Sequence, residues 1–169
     1  MAIEQVKEHF RQWGREQDVK EFETSSATVQ EAADTIGVIP ARIAKTISFR
    51  GEGELAVLIV AAGDAKIDNK KFRAALHLKP RMLTAEEVLE QTGHAVGGVC
   101  PFGLANPLDV YMDESLKRFD TVFPACGSSN SAIELTLPEL ERFAGSKGWL
   151  DVCKGWQEED AGAEVESTG

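Results

Sequence analysis

Apolar residues recur at helical spacing at the start of this chain. Four of them stand three or four positions apart, namely Ile3, Val6, Phe10 and Trp13. This spacing places them on one face of a helix, so we expect an amphipathic helix over residues 3–16.

Polar signatures mark the beginnings of further helices. Thr28, Thr84 and Thr136 are each followed three residues later by a glutamate, which is the pattern of a capping box. Asp68 is also a favourable residue at a helix N-terminus, because its carboxylate accepts a hydrogen bond from the first turn. These signatures predict helices over 29–36, 69–77, 85–91 and 137–144.

Two neighbouring segments, 43–49 and 55–61, are rich in β-branched and apolar residues, and a glycine-containing stretch separates them. This arrangement predicts a β-hairpin. Shorter strands are predicted at 19–23, 108–112, 121–123 and 132–135. Strands that cluster in this way, with helices between them, favour an α+β fold with one mixed, mostly antiparallel sheet flanked by helices.

The length of 169 residues fits one domain, which we place at residues 1–156. The tail, 157–169, holds five acidic residues and no basic one, and we expect it to be disordered. The first residues are charged, unlike a signal peptide, and the longest apolar run, Leu55–Ala62, is too short to span a membrane. Three widely spaced cysteines predict no disulfide framework and favour a reducing cytoplasm.

The distribution of charge limits the partners that the surface can bind. A net charge of −10 argues against nonspecific nucleic-acid binding by the whole surface. The segment 66–81 differs, because it carries six basic residues and one acidic residue. Such a segment can contact a phosphate backbone, and the candidate contacts are Lys70, Lys71 and Arg73. A solvated helix face is the alternative interpretation.

A lysine within an apolar strand and a glycine-rich loop are the best candidates for chemistry. Lys45 interrupts a segment that otherwise looks buried, so its ammonium either reaches the surface or serves a site. Residues 96–103 read Val-Gly-Gly-Val-Cys-Pro-Phe-Gly, a loop that lets a ligand approach the backbone but that can also be a plain turn. The Gly/Ser-rich stretch 125–131 has the same two interpretations.

A thiol offers a second kind of chemistry. His94 precedes Cys100 by six residues, and the two could form a thiolate–imidazole pair. A buried, inert thiol is the alternative. No C-x-x-C or H-E-x-x-H pattern is present, so we expect neither a metal nor a cofactor.

Several short motifs follow one another in a recognisable order. They are Ala32-Ala33, Gly37-Val38, Lys45-Thr46, Lys66-Ile67-Asp68, the run from Gly93 to Gly103, Asp113-Glu114-Ser115-Leu116, Ala125-Cys126-Gly127 and Ile133-Glu134-Leu135. Taken together, over about residues 20–145, the chain resembles the YbaK family, which includes the editing insertion domain of bacterial prolyl-tRNA synthetases.

The resemblance implies a cytosolic domain that hydrolyses the aminoacyl ester of mischarged tRNA in trans. Its partner would be the 3′ end of aminoacyl-tRNA, with an aminoacyl-tRNA synthetase as a second candidate partner. Lys45 matches the functional lysine of the family and would lie near the terminal adenosine and its phosphates. Thr28, Thr46 and Ser128 are further candidate substrate contacts.

The glycine loop would then border the ester. Its candidate contacts to the substrate are Val99, Pro101 and Phe102. An activated ester needs little more than positioning and stabilisation of the developing oxyanion. The backbone N–H groups of Gly97, Gly98 and Gly127 are the candidate donors for that oxyanion.

The chain departs from the family pattern at two positions. Phe22 stands where an aromatic hydroxyl is often found, and Ala132 stands where an acidic residue is often found. These departures leave open which amino acid is removed and from which tRNA. A noncatalytic module that binds tRNA ends or nucleotides, and a thiol-dependent hydrolase that uses Cys100 and His94, are the competing functions.

Overall fold

The computed structural model describes residues 2–156, and five α-helices lie within that range. They are α1 (Ala2–Arg11), α2 (Val29–Ile36), α3 (Asn69–Leu76), α4 (Ala85–Thr92) and α5 (Leu137–Ala144). Three short 3-10 segments accompany them, at Glu16–Asp18, Pro40–Arg42 and Glu114–Arg118.

Capping chemistry sets the ends of these helices, as the sequence predicts. Complete capping boxes begin α2, α4 and α5 at Thr28, Thr84 and Thr136, and the Asp68 side chain accepts a hydrogen bond from the first turn of α3. The first helix is shorter than predicted. It ends at Arg11, because the chain turns at Gly14, whose φ of +67° favours glycine.

Ten short strands form in the described part of the chain. They are β1 (Lys20–Glu21), β2 (Ile43–Arg50), β3 (Ala56–Ala62), β4 (Lys66–Ile67), β5 (Asp109–Asp113), β6 (Thr121–Pro124), β7 (Ser131–Ala132), β8 (Leu135–Thr136), β9 (Trp149–Leu150) and β10 (Cys153–Lys154). The predicted hairpin is β2 and β3. The single strand predicted at 132–135 is instead two strands, β7 and β8, which pair with different partners.

The main sheet has six strands in the order β8-β6-β2-β3-β5-β9. Two small ribbons, β1 with β7 and β4 with β10, lie beside it. Of the seven strand pairings in residues 2–156, four are antiparallel and three are parallel. The α+β class with a mixed sheet is therefore confirmed.

Strand β3 lies at the centre of the core, and all seven of its residues are buried. Helix α1 packs on one side, where the Phe10 ring lies 4.7 Å from that of Phe102. Helix α3 packs on β2, with the Phe72 ring 4.7 Å from that of Phe49. These contacts bury apolar surface and fix the helices around the sheet.

One edge of β2 is left partly open, and this gap positions the site. Strand β6 pairs with β2 only at Ile43 and Ala44. At the other end of β2, the segment 81–83 pairs with the same edge, and Leu83 N–H donates to Ser48 O at 3.3 Å. The backbone of β2 between these two partners faces a cavity.

Within residues 2–156, no helix has the length and apolar character that crossing a membrane requires. The acidic tail predicted at 157–169 lies outside the described residues.

Candidate active site

A pocket of about 280 Å³ occupies the gap beside β2. Its walls come from the beginning of α2, the middle of β2, the segment 81–83, the glycine loop and strands β6 and β7. Five of the residues predicted for the site line it: Thr28, Lys45, Thr46, Gly97 and Val99. Residues far apart in the sequence therefore meet here.

Lys45 is half-buried in the pocket wall, and its ammonium is held in one orientation. The Nζ atom donates to Gly63 O at 3.3 Å and also to Ala65 O. Burial lowers the pKa of Lys45 from its ordinary value of 10.5, while nearby Cys153 and Asp64 oppose that change. An ammonium has three N–H groups, so one donor remains for a ligand.

Thr46 presents unpaired polar groups at the same place. Its Oγ1 is buried and has no hydrogen-bond partner among the described residues. Backbone groups alternate in direction along a strand, and those of Ser48 and Arg50 point toward the segment 81–83. The N–H and C=O of Thr46 therefore point into the gap, where a ligand can reach them.

The glycine loop contributes less of its backbone than predicted. The Gly98 N–H donates to Ala95 O at 3.0 Å, and the Gly127 N–H donates to Gly98 O at 3.0 Å. Both N–H groups donate to carbonyl oxygens of the protein, so in this structure neither is free to donate to an oxyanion. Gly97 lines the pocket with a φ of +99°, and its N–H has no acceptor within residues 2–156.

Three other predicted contacts lie away from the pocket. Pro101 and Phe102 are buried, and the Phe102 ring packs against α1 in the core rather than facing a ligand. Ser128 donates to Ser131 Oγ at 2.6 Å and does not line the cavity. The structure therefore does not bring these three predicted substrate contacts to the pocket.

Cys100 and His94 do meet, as the thiol hypothesis requires. The Cys100 Sγ lies 3.6 Å from His94 Nε2. Both side chains are fully buried, however, and burial raises the pKa of Cys100 to about 12. Burial also lowers the pKa of His94, which favours the neutral ring, and His94 Nε2 donates to Phe102 O, 2.7 Å away. The geometry disfavours a thiolate nucleophile.

The Cys100→Ser variant should keep most of the activity of the wild-type protein, because the thiol is protonated and out of reach of the pocket. Activity on a charged tRNA and the melting temperature should be measured together. A loss of several orders of magnitude with normal melting would contradict the geometry and restore the thiol hypothesis. Resistance of the native protein to iodoacetamide is an independent check.

The basic segment is only partly available to a ligand. Lys71 forms an ion pair with Asp151 at 3.0 Å and also donates to Cys153 O. Lys70 and Arg73 are exposed, and neither has an ion-pair partner in the described range. Of the three predicted tRNA contacts, Lys71 is therefore occupied by a structural contact.

The sequence alone did not predict the rim of the pocket. Met82 and Val96 both line it, and each is 66% exposed. Exposed apolar side chains beside a cavity are typical of a surface that binds a ligand. The available signals were weak: Met82 is an apolar residue directly after a basic stretch, and Val96 directly precedes the Gly97-Gly98 step.

The two departures from the family pattern lie together. Phe22 and Ala132 line a smaller cleft of about 120 Å³, and Ala132 also lines the main pocket. Neither residue supplies a polar side-chain group, although Lys20, Thr35 and Glu134 also line this cleft. No cluster of three or more His, Cys, Asp or Glu residues suited to a metal ion occurs in residues 2–156.

This chain is similar in sequence to bacterial proteins. A protein of Bacillus subtilis strain 168, the uncharacterized protein YwhH, is 67% identical over 157 residues, which are 93% of this chain and all of that protein. EbsC of Enterococcus faecalis, a candidate Cys-tRNA(Pro)/Cys-tRNA(Cys) deacylase, is 27% identical over 109 residues, 64% of this chain and 66% of its own.

A solved structure described as a candidate trans-editing enzyme for prolyl tRNA synthetase has the same fold. It superposes with a TM-score of 0.82 at 32% sequence identity, and the match covers 91% of this chain and 98% of that one. The family model of the aminoacyl-tRNA editing domain matches residues 23–143. The chain therefore belongs to the aminoacyl-tRNA editing domain family.

Proposed function

We propose that this protein is a trans-acting deacylase, which hydrolyses the ester between an amino acid and the 3′-terminal adenosine of a mischarged tRNA. One observation carries the proposal: Lys45, an unpaired Thr46 and the Gly97 backbone converge on one pocket in a chain of the editing-domain family. The acceptor end of a tRNA is its substrate, and the reaction belongs in the cytoplasm, where charged tRNA is used.

The pocket can assist hydrolysis without a nucleophilic side chain. An aminoacyl ester is activated toward hydrolysis. A site that holds a water molecule in line with the ester carbonyl carbon therefore removes much of the activation barrier. The free N–H of Lys45 supplies a fixed positive charge for a phosphate or a developing oxyanion. The Gly97 N–H can donate to the same oxyanion, while the polar groups of Thr46 can orient the substrate.

The lining favours an uncharged amino acid. Lys45 is the only charged side chain among the described residues that line the pocket. Lysyl and arginyl groups would be repelled by it, and an acidic group would compete with the substrate phosphates. The walls near Ala32, Ile36 and Phe123 are apolar, and an added methylene there changes binding by only about 1–3 kcal/mol.

A panel of mischarged tRNAs tests the proposal directly. The purified protein should release uncharged amino acids from at least one tRNA with multiple turnovers, and it should leave lysyl and arginyl esters intact. Tight binding of tRNA ends without release of the amino acid would instead support a noncatalytic module. An equally fast reaction on every ester would contradict the selectivity of the pocket.

The exposed cations of the segment 66–81 should bind the phosphates of the acceptor stem. Reversal of charge at Lys70 and Arg73 should weaken tRNA binding and flatten its salt dependence, because each lost phosphate contact reduces the slope by about 0.7 to 0.9. The control is a double reversal at Lys20 and Arg142, which are exposed, form no ion pair within residues 2–156 and change the net charge equally outside this segment. The affinity for tRNA should be measured across a series of salt concentrations. The slope should be smaller for the variant of Lys70 and Arg73 than for the control variant.

Equal slopes for the two double variants would show that the acceptor stem binds elsewhere. Reversal of Lys71 is less informative, because its ion pair with Asp151 would be lost as well.

A further inference from the structure

We propose that Asp64 and Arg118 are positioning residues, which hold the Lys45 ammonium at the pocket through the turn at Gly63–Ala65. This inference rests on the proposed function only for the role of Lys45 in hydrolysis. The contacts themselves are seen in the fold and can be tested without a substrate.

The turn supplies both acceptors that orient the ammonium. Nζ of Lys45 donates to Gly63 O and Ala65 O, so two of its three N–H groups are directed by this turn. The turn is closed by Ala65 N–H, which donates to Ala62 O at 3.0 Å. It also lies tightly against its neighbours, since a Cβ on Gly63 would stand 2.1 Å from Pro40 O.

Arg118 holds the turn from the other side. Its Nη1 and Nη2 donate to the two carboxylate oxygens of Asp64, at 2.9 and 2.5 Å. This two-point geometry fixes direction as well as distance. Both side chains are 18% exposed, so solvent screens the pair less than it would at the surface.

Arg118 is itself held in place by further contacts. Its guanidinium lies 5.1 Å from the ring centres of Phe119 and Trp156, and its Nε donates to Ser115 O at 3.0 Å. The Ser115 hydroxyl accepts from Ala62 N–H at 3.1 Å, at the end of β3. The 3-10 segment 114–118 thus holds both the turn and the strand that leads into it.

Charge supports the same arrangement. The charged and titratable groups that act on Lys45 are Asp64 in the turn, Cys153 on β10 and Lys66 on β4. Asp64 raises the pKa of Lys45 against the effect of burial, whereas Lys66 lowers it. Without the Asp64 charge, the pKa of Lys45 would fall further below its ordinary value of 10.5.

The matched test compares Asp64→Asn with Asp109→Asn. Asp109 is the first residue of β5 and pairs with Val57, near one end of β3, whereas Lys45 pairs with Ala61, near the other end. Each variant removes one carboxylate. Deacylation should be measured for kcat and KM, with enzyme-free blanks at each pH, and the pKa of Lys45 should be followed by NMR of labelled lysine.

We expect Asp64→Asn to lower kcat about tenfold with little change in KM, a loss of about 1.4 kcal/mol in the transition state. The active form of Lys45 is charged, so activity falls as the pH rises through its pKa. Because Asp64→Asn lowers that pKa, the fall should begin at a lower pH than in the wild type. Asp109→Asn should change neither kcat nor the pH at which activity begins to fall.

Arg118→Lys provides a second variant, in case Asp64→Asn is unstable. It keeps a positive charge but loses the two-point contact, so kcat should fall while melting stays cooperative. Wild-type kcat and an unchanged Lys45 pKa in both folded variants would overturn the inference and leave the proposed function standing. If the wild type deacylates no tRNA, the proposed function fails, and the NMR pKa still decides whether Asp64 acts on Lys45.

Discussion

Lys45→Ala should reduce deacylation by about a hundredfold or more while leaving the fold intact. The ammonium is the only fixed positive charge in the pocket lining that the structure describes, and loss of one well-placed donor to an oxyanion costs about two to three orders of magnitude. The free energy of unfolding should change little. The variant loses the hydrogen bonds of the ammonium, but it also no longer carries the desolvation cost of a half-buried charge. Single-turnover hydrolysis and thermal melting measure the two effects.

Lys147→Ala is the appropriate control, since Lys147 is exposed, carries the same charge and lies outside both the pocket lining and the segment 66–81. Lys45→Arg should also be poorly active, because a planar guanidinium does not replace a compact ammonium between two carbonyl oxygens. Unchanged turnover in Lys45→Ala, with native melting, would refute the role of this residue in catalysis.

Gly98→Ala should destabilise the protein by about 2 to 3 kcal/mol and lose activity in parallel. A Cβ at this position would stand 2.7 Å from Ser128 N and 2.8 Å from Gly127 C, both backbone atoms that cannot move aside cheaply. The contact joins the glycine loop to the stretch 125–131, so its loss should open the pocket wall. Chemical denaturation and deacylation assays should be compared in the same buffer.

Gly53→Ala is the matched control, because a Cβ on Gly53 would meet no atom within 4 Å. It should leave both stability and activity near wild-type values. A stable Gly98→Ala with selectively reduced turnover would mean that this glycine serves the substrate rather than the packing of the two loops.

Local chemistry explains which parts of the fold were predictable. The capping threonines and the hairpin β2–β3 were predicted because each is encoded within a few neighbouring residues. The two-residue strands β4 and β10 were not, since they exist only through pairing between Ile67 and Cys153, which are distant in sequence. The same holds for β9, which pairs with the end of β5.

The site was predictable where a residue type is unusual for its place. Lys45 in an apolar strand was such a residue, and it lies in the pocket. Glycines are harder to interpret, because a missing side chain can serve a ligand or a close packing contact. Gly127 is the second case, since a Cβ there would stand 2.9 Å from the Ala2 backbone.

The two walls of the pocket are joined by main-chain atoms, from the Gly127 N–H to the Gly98 carbonyl. A bond of this kind does not depend on the identity of any side chain. Residues such as Val99 and Ser131 can therefore change in the course of evolution while the frame around them persists. Under the proposed function, such a frame would let a lineage acquire a new amino-acid preference through one or two substitutions, without having to re-establish the fold.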